Sequence, residues 1–454
     1  MQDDRGLYFE TALLPGGWRD AVRIGVRDGL VATIDIGAAP AATDERHAVA
    51  LPGLPNLHSH AFQRGMAGLA EARGPSADSF WTWRELMYRF VDRIDPEDLT
   101  ALAAMAYVEM LESGFTRVGE FHYLHHDRDG RPFAAPAEMS AAIAAAARES
   151  GIALTHLPVF YAHAGFAGET PGAAQRRFLH DVDGFARLLD DARRALAALP
   201  DAVLGIAPHS LRAVSPGELA ALADLAHDGP VHIHIAEQTA EVEACLAARG
   251  ARPVDWLFDH APVDARWCLV HATHVTPGEV ARIVAARAVV GLCPITEANL
   301  GDGLFPAAGF AAAGGRYGVG SDSNVLIDAT EELRLLEYGQ RLVARGRNML
   351  AGGAGASTGE ALYRASEAGG AQALGAAAGI AVGNPADLVS LDTGHASLRA
   401  RRGGALLDGL VFASGRQGVD CVWRRGTKLV SAGRHHGRDA IAARYGRTLE
   451  RLLA

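Results

Sequence analysis

From Leu51 onward, short apolar runs alternate with longer segments of helical spacing. The runs cover residues 51–57, 115–123, 152–160, 202–207, 230–235, 267–271, 288–293 and 316–320. Alanine-, leucine- and arginine-rich stretches lie between most of them, at 95–112, 175–199, 215–226 and 241–249. Strands that alternate with helices pack as a parallel sheet covered by those helices. Eight such strands over about 320 residues suit a (β/α)₈ barrel with insertions, because about 250 residues is typical and more than 400 is known. A doubly wound open sheet is the competing architecture. The barrel is preferred because chemically useful residues stand at the ends of many runs, whereas an open sheet gathers its ligand groups at one switch point.

The two ends of the chain have a different texture. Residues 7–13, 23–27 and 30–34 are β-prone and separated by Gly-Gly and Asp-Gly turns. After about residue 380, PADLVSLD (385–392) and GVDCVWRRGTKLV (418–430) again read as strands with turns. The reading is therefore an α/β chain with three parts. Residues 1–50 and 381–454, the latter with a terminal helix, build one small β-sandwich domain, and residues 51–380 build the barrel.

Composition narrows the partners. The chain of 454 residues carries 43 basic and 53 acidic side chains, a net charge of −10. Nucleic acid and anionic membrane both call for a basic surface, so neither is expected. No run of about 18 apolar residues predicts a membrane span. MQDDRGLYFE lacks the basic region and apolar core of a secretory signal. Cys245, Cys268, Cys293 and Cys421 lie far apart with no C-x-x-C pair, which fits a reducing cytoplasm better than a disulfide framework.

Nineteen histidines stand out. His58 and His60 end the first run, and residues two apart on a strand share a face. That pair alone says little, since this histidine content gives roughly 0.8 H-x-H matches by chance. On the fifth run, His232 and His234 both point inward, with His234 nearer the mouth and Glu237 just beyond the strand. His271 ends the sixth run, and Asp322 follows the eighth in GVGSDSN. Each has a bland explanation taken singly: a hydrogen-bonded core histidine, a helix-opening glutamate, a turn aspartate. Together, His58, His60, His234 and Asp322 fall at the same end of strands one, five and eight. Three imidazoles and a carboxylate suit zinc with an open position. A divalent ion lowers the pKa of water from about 15.7 toward about 7. Glu237 is then placed to shuttle a proton to a leaving amine, Asp322 to accept a proton or orient the water, and His271 to polarise the substrate or hold the water.

In this order, LPGLPNLHSHAF, HIHIAEQ, LVHATH, GVGSDSN and PADLVSLD resemble the amidohydrolase superfamily over nearly the whole chain. The resemblance implies a distorted (β/α)₈ barrel with His58, His60, His234 and Asp322 as metal ligands and Glu237 as the proton shuttle of the deaminase branch. GIAPHSLRAV, at the fourth run, has no lysine, so the carbamylated lysine of binuclear members has no candidate. One divalent ion, zinc, is expected.

The loops sharpen this. NLHSHAFQRGMAG, SFWTWRELMY, GEFHYLHH and APHSLRAV look like the formimidoylglutamate deiminase family. That family hydrolyses N-formimidoyl-L-glutamate to N-formyl-L-glutamate and ammonia in histidine degradation. The resemblance implies that Arg84, His209 and Arg212 hold the carboxylates of a small anionic substrate, since guanidinium forks match carboxylates. Gln63 and Tyr123 would orient it, with Arg64 a further hydrogen-bond donor past the first strand, and a homodimer is expected by the same likeness. The alternatives are a deaminase acting on a purine, pterin or triazine ring, supported by Phe62, Trp81 and Trp83, a ring opener of the imidazolonepropionase kind, and a catalytically dead barrel used for assembly.

Overall fold

The computed structural model describes residues 5–73 and 80–454. The chain opens with β1 (Arg5–Leu14), β2 (Gly17–Arg27) and β3 (Leu30–Ile36), an antiparallel meander. Between β2 and β3 the two-residue turn Asp28-Gly29 has φ of 54° and 81°, the left-handed pair that matches the twist of a hairpin. β4 (Glu45–Pro52) returns parallel to β1. The run 51–57, read as one strand, breaks at Gly53: Leu51 and Pro52 belong to β4, and β5 (Leu54–Ser59) starts the barrel. A Cβ at Gly53 would lie 2.2 Å from Thr116 Oγ1, so the crossing leaves no room for a side chain.

Next come α1 (Phe80–Val91), α2 (Pro96–Glu112), β6 (Phe115–His122), α3 (Glu138–Ser150), β7 (Ala153–Phe160) and α4 (Val182–Leu196). β8 (Val203–Leu204) and β9 (Ala207–Pro208) share the fourth position, followed by α5 (Pro216–Leu225) and β10 (Val231–Ile235). Then follow α6 (Thr239–Arg249), α7 (Pro253–His260), β11 (Trp267–His271), α8 (Pro277–Ala286) and β12 (Val289–Leu292). α9 (Pro294–Leu300), α10 (Ala307–Ala312), β13 (Arg316–Val319), α11 (Ala329–Ala344) and α12 (Thr358–Ala373) complete the alternation. Helix starts are locally encoded: α2, α5 and α8 each follow Asp, Ser or Thr with proline in the first turn and an acidic partner three residues on.

The eight positions form a distorted (β/α)₈ barrel made of two parallel sheets, β5-β6-β7-β8 with β9 against β7, and β10-β11-β12-β13. Single bridges join them, Ser59 to Asp322 at one seam and Ile206 to Val231 and Ser210 to His234 at the other. The fourth strand is interrupted between Leu204 and Ala207, opposite Leu157 and Pro158 of β7, where the proline has no N–H to continue the ladder. Leu57, Cys268, Val270 and Val289 pack with Ala373 and Leu374 in a small cluster of their own. The large core lies between strands and helices.

β14 (Leu388–Leu391), α13 (Gly404–Gly409), β15 (Val419–Arg424), β16 (Thr427–Ser431), β17 (Arg434–His435) and α14 (Arg438–Leu453) end the chain. The terminal strands make one path, β17-β16-β15-β14-β4-β1-β2-β3. β4 is the shared element, pairing with β1 along Glu45–Ala50 and with β14 at Leu51 and Pro52. Phe9 and Ile24 from one end and Leu388 and Trp423 from the other bury into a single cluster.

Among the described residues, no helix is long and apolar enough to cross a membrane.

Candidate active site and metal centre

β5 and β13 approach so closely that their ends share hydrogen bonds. Asp322 N donates to His58 O and His60 N donates to Asp322 O, both at 2.9 Å. A Cβ on Gly320 would lie 2.7 Å from the His58 carbonyl, so the glycine of GVGSDSN permits this contact. A buried amide and hydroxyl network fastens the seam. Asn56 Nδ2 donates to Ser321 Oγ at 2.7 Å, Ser321 Oγ to Asn324 Oδ1 at 2.6 Å, and Asn324 Nδ2 to His60 O at 3.0 Å. Asp322 itself has φ of 42°, a left-handed value costly for a side chain with a Cβ and typical of functional turns.

The consequence is convergence. His58 Nε2 and His60 Nε2 lie 3.3 and 3.2 Å from Asp322 Oδ1, and His234 Nε2 from β10 lies 3.0 Å from His58 Nε2. One ligand atom from each of the four lies within 4.8 Å of all the others. Burial holds His58 down to about 3 and His234 well below the usual imidazole range, so both rings are neutral, as metal ligands must be.

The donor set fits a cation. His60 Nδ1 donates to the Phe121 carbonyl at 2.8 Å, so its Nε2 carries a lone pair. That lone pair faces the Asp322 carboxylate, two acceptors aimed at one point. Three of the separations, at 3.0–3.3 Å, are short enough for atoms that share one ion. His232 does not join: it meets the Ala373 carbonyl at 2.7 Å.

Two acid–base groups stand beside this set. His271, the last residue of β11, has φ of 68°. Its Nδ1 lies 3.2 Å from Glu297 Oε1, and its Nε2 lies 3.9 Å from Glu237 Oε1 and 4.0 Å from Asp322 Oδ2. Burial works against a charge on the ring, but Glu237, Glu297 and Asp322 outweigh it and raise it to about 10. Burial pushes Glu237 up to about 7, against the pull of His271.

A pocket of about 740 Å³, its open mouth included, rises from His60, His234 and Asp322 of this cluster. Of the substrate-side residues expected from sequence, its wall contains Gln63, Arg84, Tyr123, His209 and Arg212. Gln63 Nε2 donates to Tyr123 Oη at 2.8 Å, while Gln63 Oε1 is buried without a hydrogen-bond partner among the described residues. The His209 ring packs on Tyr161 and His234, and burial with the nearby Arg212 holds it neutral. Arg64 turns away: its Nε meets Glu109 at 2.5 Å, outside the pocket. Of the aromatics proposed for ring substrates, Trp83 lines the pocket, Phe62 packs behind Tyr123 with ring centroids 5.3 Å apart, and the Trp81 side chain lies outside the described residues.

Sequence reasoning missed Glu297, Asp302, Asn56 and Asn324. Glu297 anchors His271, and Asp302, beside Gln238, is pushed up to about 9 by burial and the neighbouring Glu237. The two asparagines sat inside motifs already in view, but an amide carries no signature of a seam. Glu297 lies on α9, far in sequence from its partner.

Comparison with known proteins supplies the relatives. The model of the amidohydrolase family matches residues 49–429, and that of the formimidoylglutamate deiminase HutF N-terminal domain matches residues 6–48. A formimidoylglutamate deiminase of Pseudomonas aeruginosa is 50% identical over 450 residues, 98% of this chain and 99% of that protein. The crystal structure of an amidohydrolase from Brucella melitensis superimposes with a TM-score of 0.96 at 53% identity, covering 99% of this chain and 100% of that one. An adenosine deaminase from Xanthomonas campestris with bound zinc shares the fold, with a TM-score of 0.82 at 23% identity over 99% of this chain and 98% of that one.

Proposed function

The chain belongs to the amidohydrolase family, and from that premise we propose that it hydrolyses N-formimidoyl-L-glutamate to N-formyl-L-glutamate and ammonia, a step of histidine degradation. The observation that carries the reading is a four-residue ligand set at the base of a pocket whose wall presents two arginines. His58, His60, His234 and Asp322 hold one divalent ion, and zinc suits three imidazoles and a carboxylate. Bound there, the ion supplies Lewis acidity that makes a hydroxide nucleophile accessible near neutral pH.

The chain's own residues do the rest. Arg84 and Arg212 pair with the glutamate carboxylates, whose burial without partners would be costly. Neutral His209 adds a hydrogen bond between them. Gln63 has its amide N–H committed to Tyr123, so its Oε1 is left to accept from the formimino N–H, and the Tyr123 hydroxyl, which donates to Met87 Sδ at 3.8 Å, exchanges that weak contact for the substrate. Glu237, poised at about 7, takes one proton from the attacking water and delivers it to the formimino nitrogen; Asp322 takes the second as the formyl C=O forms and the C–N bond breaks, and with both protons returned to it the nitrogen leaves as ammonia. His271 keeps its Nδ1–H on Glu297 and turns Nε2 toward developing negative charge.

Ammonia release from N-formimidoyl-L-glutamate by metal-replete protein tests this, against guanine and a triazine. Turnover of the ring compounds alone would replace this substrate with a ring. We also propose that the chain divides at about residues 50 and 380, and that it works as a cytoplasmic homodimer. Four buried free cysteines support the reducing compartment. Leu342 and Val343, 79% and 69% exposed on α11, are apolar surface that an association would cover. Sedimentation at micromolar concentration checks the dimer, and a monomer there removes it.

A further inference from the structure

Arg177 is 1% exposed and lies outside the pocket wall. Its guanidinium is spent on backbone carbonyls. Nε donates to His126 O at 3.0 Å, Nη2 to Ile94 O at 2.9 Å, and Nη1 to Val91 O. Its own carbonyl accepts from the backbone N–H of His125 and of His126, both at 3.0 Å. Val91 is the last residue of α1, Ile94 lies in the turn before α2, and His126 follows β6. One side chain therefore fastens three segments.

The chemistry explains how a buried charge survives there. The last carbonyls of a helix lack intrahelical partners and form the negative end of its dipole, which favours a cation. Burial still works against the charge and holds this guanidinium down to about 10, with Asp92 pulling the other way. A lysine could not serve three carbonyls in this way, because its donors radiate from one nitrogen rather than a planar fork.

What α1 carries gives the anchor its meaning. Arg84, Met87 and Tyr88 of this helix line the pocket, with the Arg84 guanidinium 5.6 Å from the Tyr88 ring centroid. Phe178, next to Arg177 in the chain, lines the same wall, its ring centroid 5.1 Å from that of Tyr123. Arg84 lies seven residues before Val91, about 10 Å along a helix axis, so a loosened C-terminus displaces its guanidinium by a fraction of that lever. Misplacement of about 1 Å is enough to cost a large factor in a positioned site.

We propose that Arg177 is a positioning residue for the substrate: by clamping the end of α1 it sets Arg84 for a substrate carboxylate. The proposal rests on the assignment of Arg84 to a carboxylate of formimidoylglutamate. Arg177→Met and Arg177→Lys are compared with the parent for kcat, KM and metal content. The expected result is a KM raised roughly tenfold with kcat within about threefold, one metal ion retained, and partial recovery in the lysine variant.

A double-mutant cycle separates positioning from general loosening. In an Arg84→Ala background, Arg177→Met should change KM less than about twofold; in an Arg212→Ala background its full effect should persist. Equal effects in both backgrounds would overturn the proposal. So would a loss confined to kcat, or failure of both Arg177 variants to fold. Should the parent release no ammonia from formimidoylglutamate, the substrate assignment fails. Hydrogen exchange in α1 then still decides whether the clamp exists, because Arg177→Met must accelerate it.

Discussion

His60 shows how little of a ligand's chemistry lies in its own identity. The H-x-H spacing was legible, but the lone pair on Nε2 is set by the Phe121 carbonyl, a backbone group that every residue carries. The same holds for His271, whose partner Glu297 comes from another element. At this scale the roles are separable by kinetics. Glu237→Gln keeps size and hydrogen bonding but cannot shuttle a proton, so kcat should fall roughly 10²- to 10⁴-fold with metal content unchanged. Retained turnover would remove Glu237 from the proton path. Arg84→Ala and Arg212→Ala should instead raise KM strongly and leave metal content alone. Unchanged kinetics in both would sink the carboxylate assignment.

Elements reveal what pattern reading could and could not reach. All eight barrel positions were visible because short apolar runs recur, most of them separated by stretches of helical spacing. The split of the first run at Gly53 was not, since only the crowding against Thr116 demands it. Nor was α1, whose aromatic-rich FWTWRELMYRFV falls outside the stretches of helical spacing. Its helix is held partly by tertiary contact at Val91, beyond local propensity. The seam of β5 and β13 offers a direct test. Gly320→Ala places a Cβ 2.7 Å from a backbone oxygen that cannot yield without parting the strands. We expect a lower melting temperature together with substoichiometric metal, read by calorimetry and elemental analysis. A stable, fully loaded variant would show that the seam tolerates separation.

For the molecule as a whole, buried neutral histidines set the response to acid. Burial holds His122 and His180 down to about 3 and His232 to about 4, and pushes His125 and His156 well below the ordinary range. The unfolded chain protonates these rings near pH 6.5, so below that it binds more protons than the folded chain. Their contribution is therefore complete above about pH 6.5 and is lost as pH falls toward 3–4. At pH 5 the loss is on the order of 1–2 kcal/mol per ring. Urea midpoints between pH 7.5 and 5 should drop steeply. His156→Phe, which removes a ring whose two nitrogens lack hydrogen-bond partners among the described residues, should flatten that slope by about one proton. An unaltered slope would mean that His156 is hydrated or charged when folded. The shared strand β4 carries a further consequence for biosynthesis. On the ribosome, the first fifty residues emerge early, yet the rim of β4 that receives Leu388 stays bare until more than three hundred later residues have been translated. Over that interval the nascent chain carries an unpaired strand end, so the arrival of β14, rather than of the barrel, decides when this border closes against aggregation.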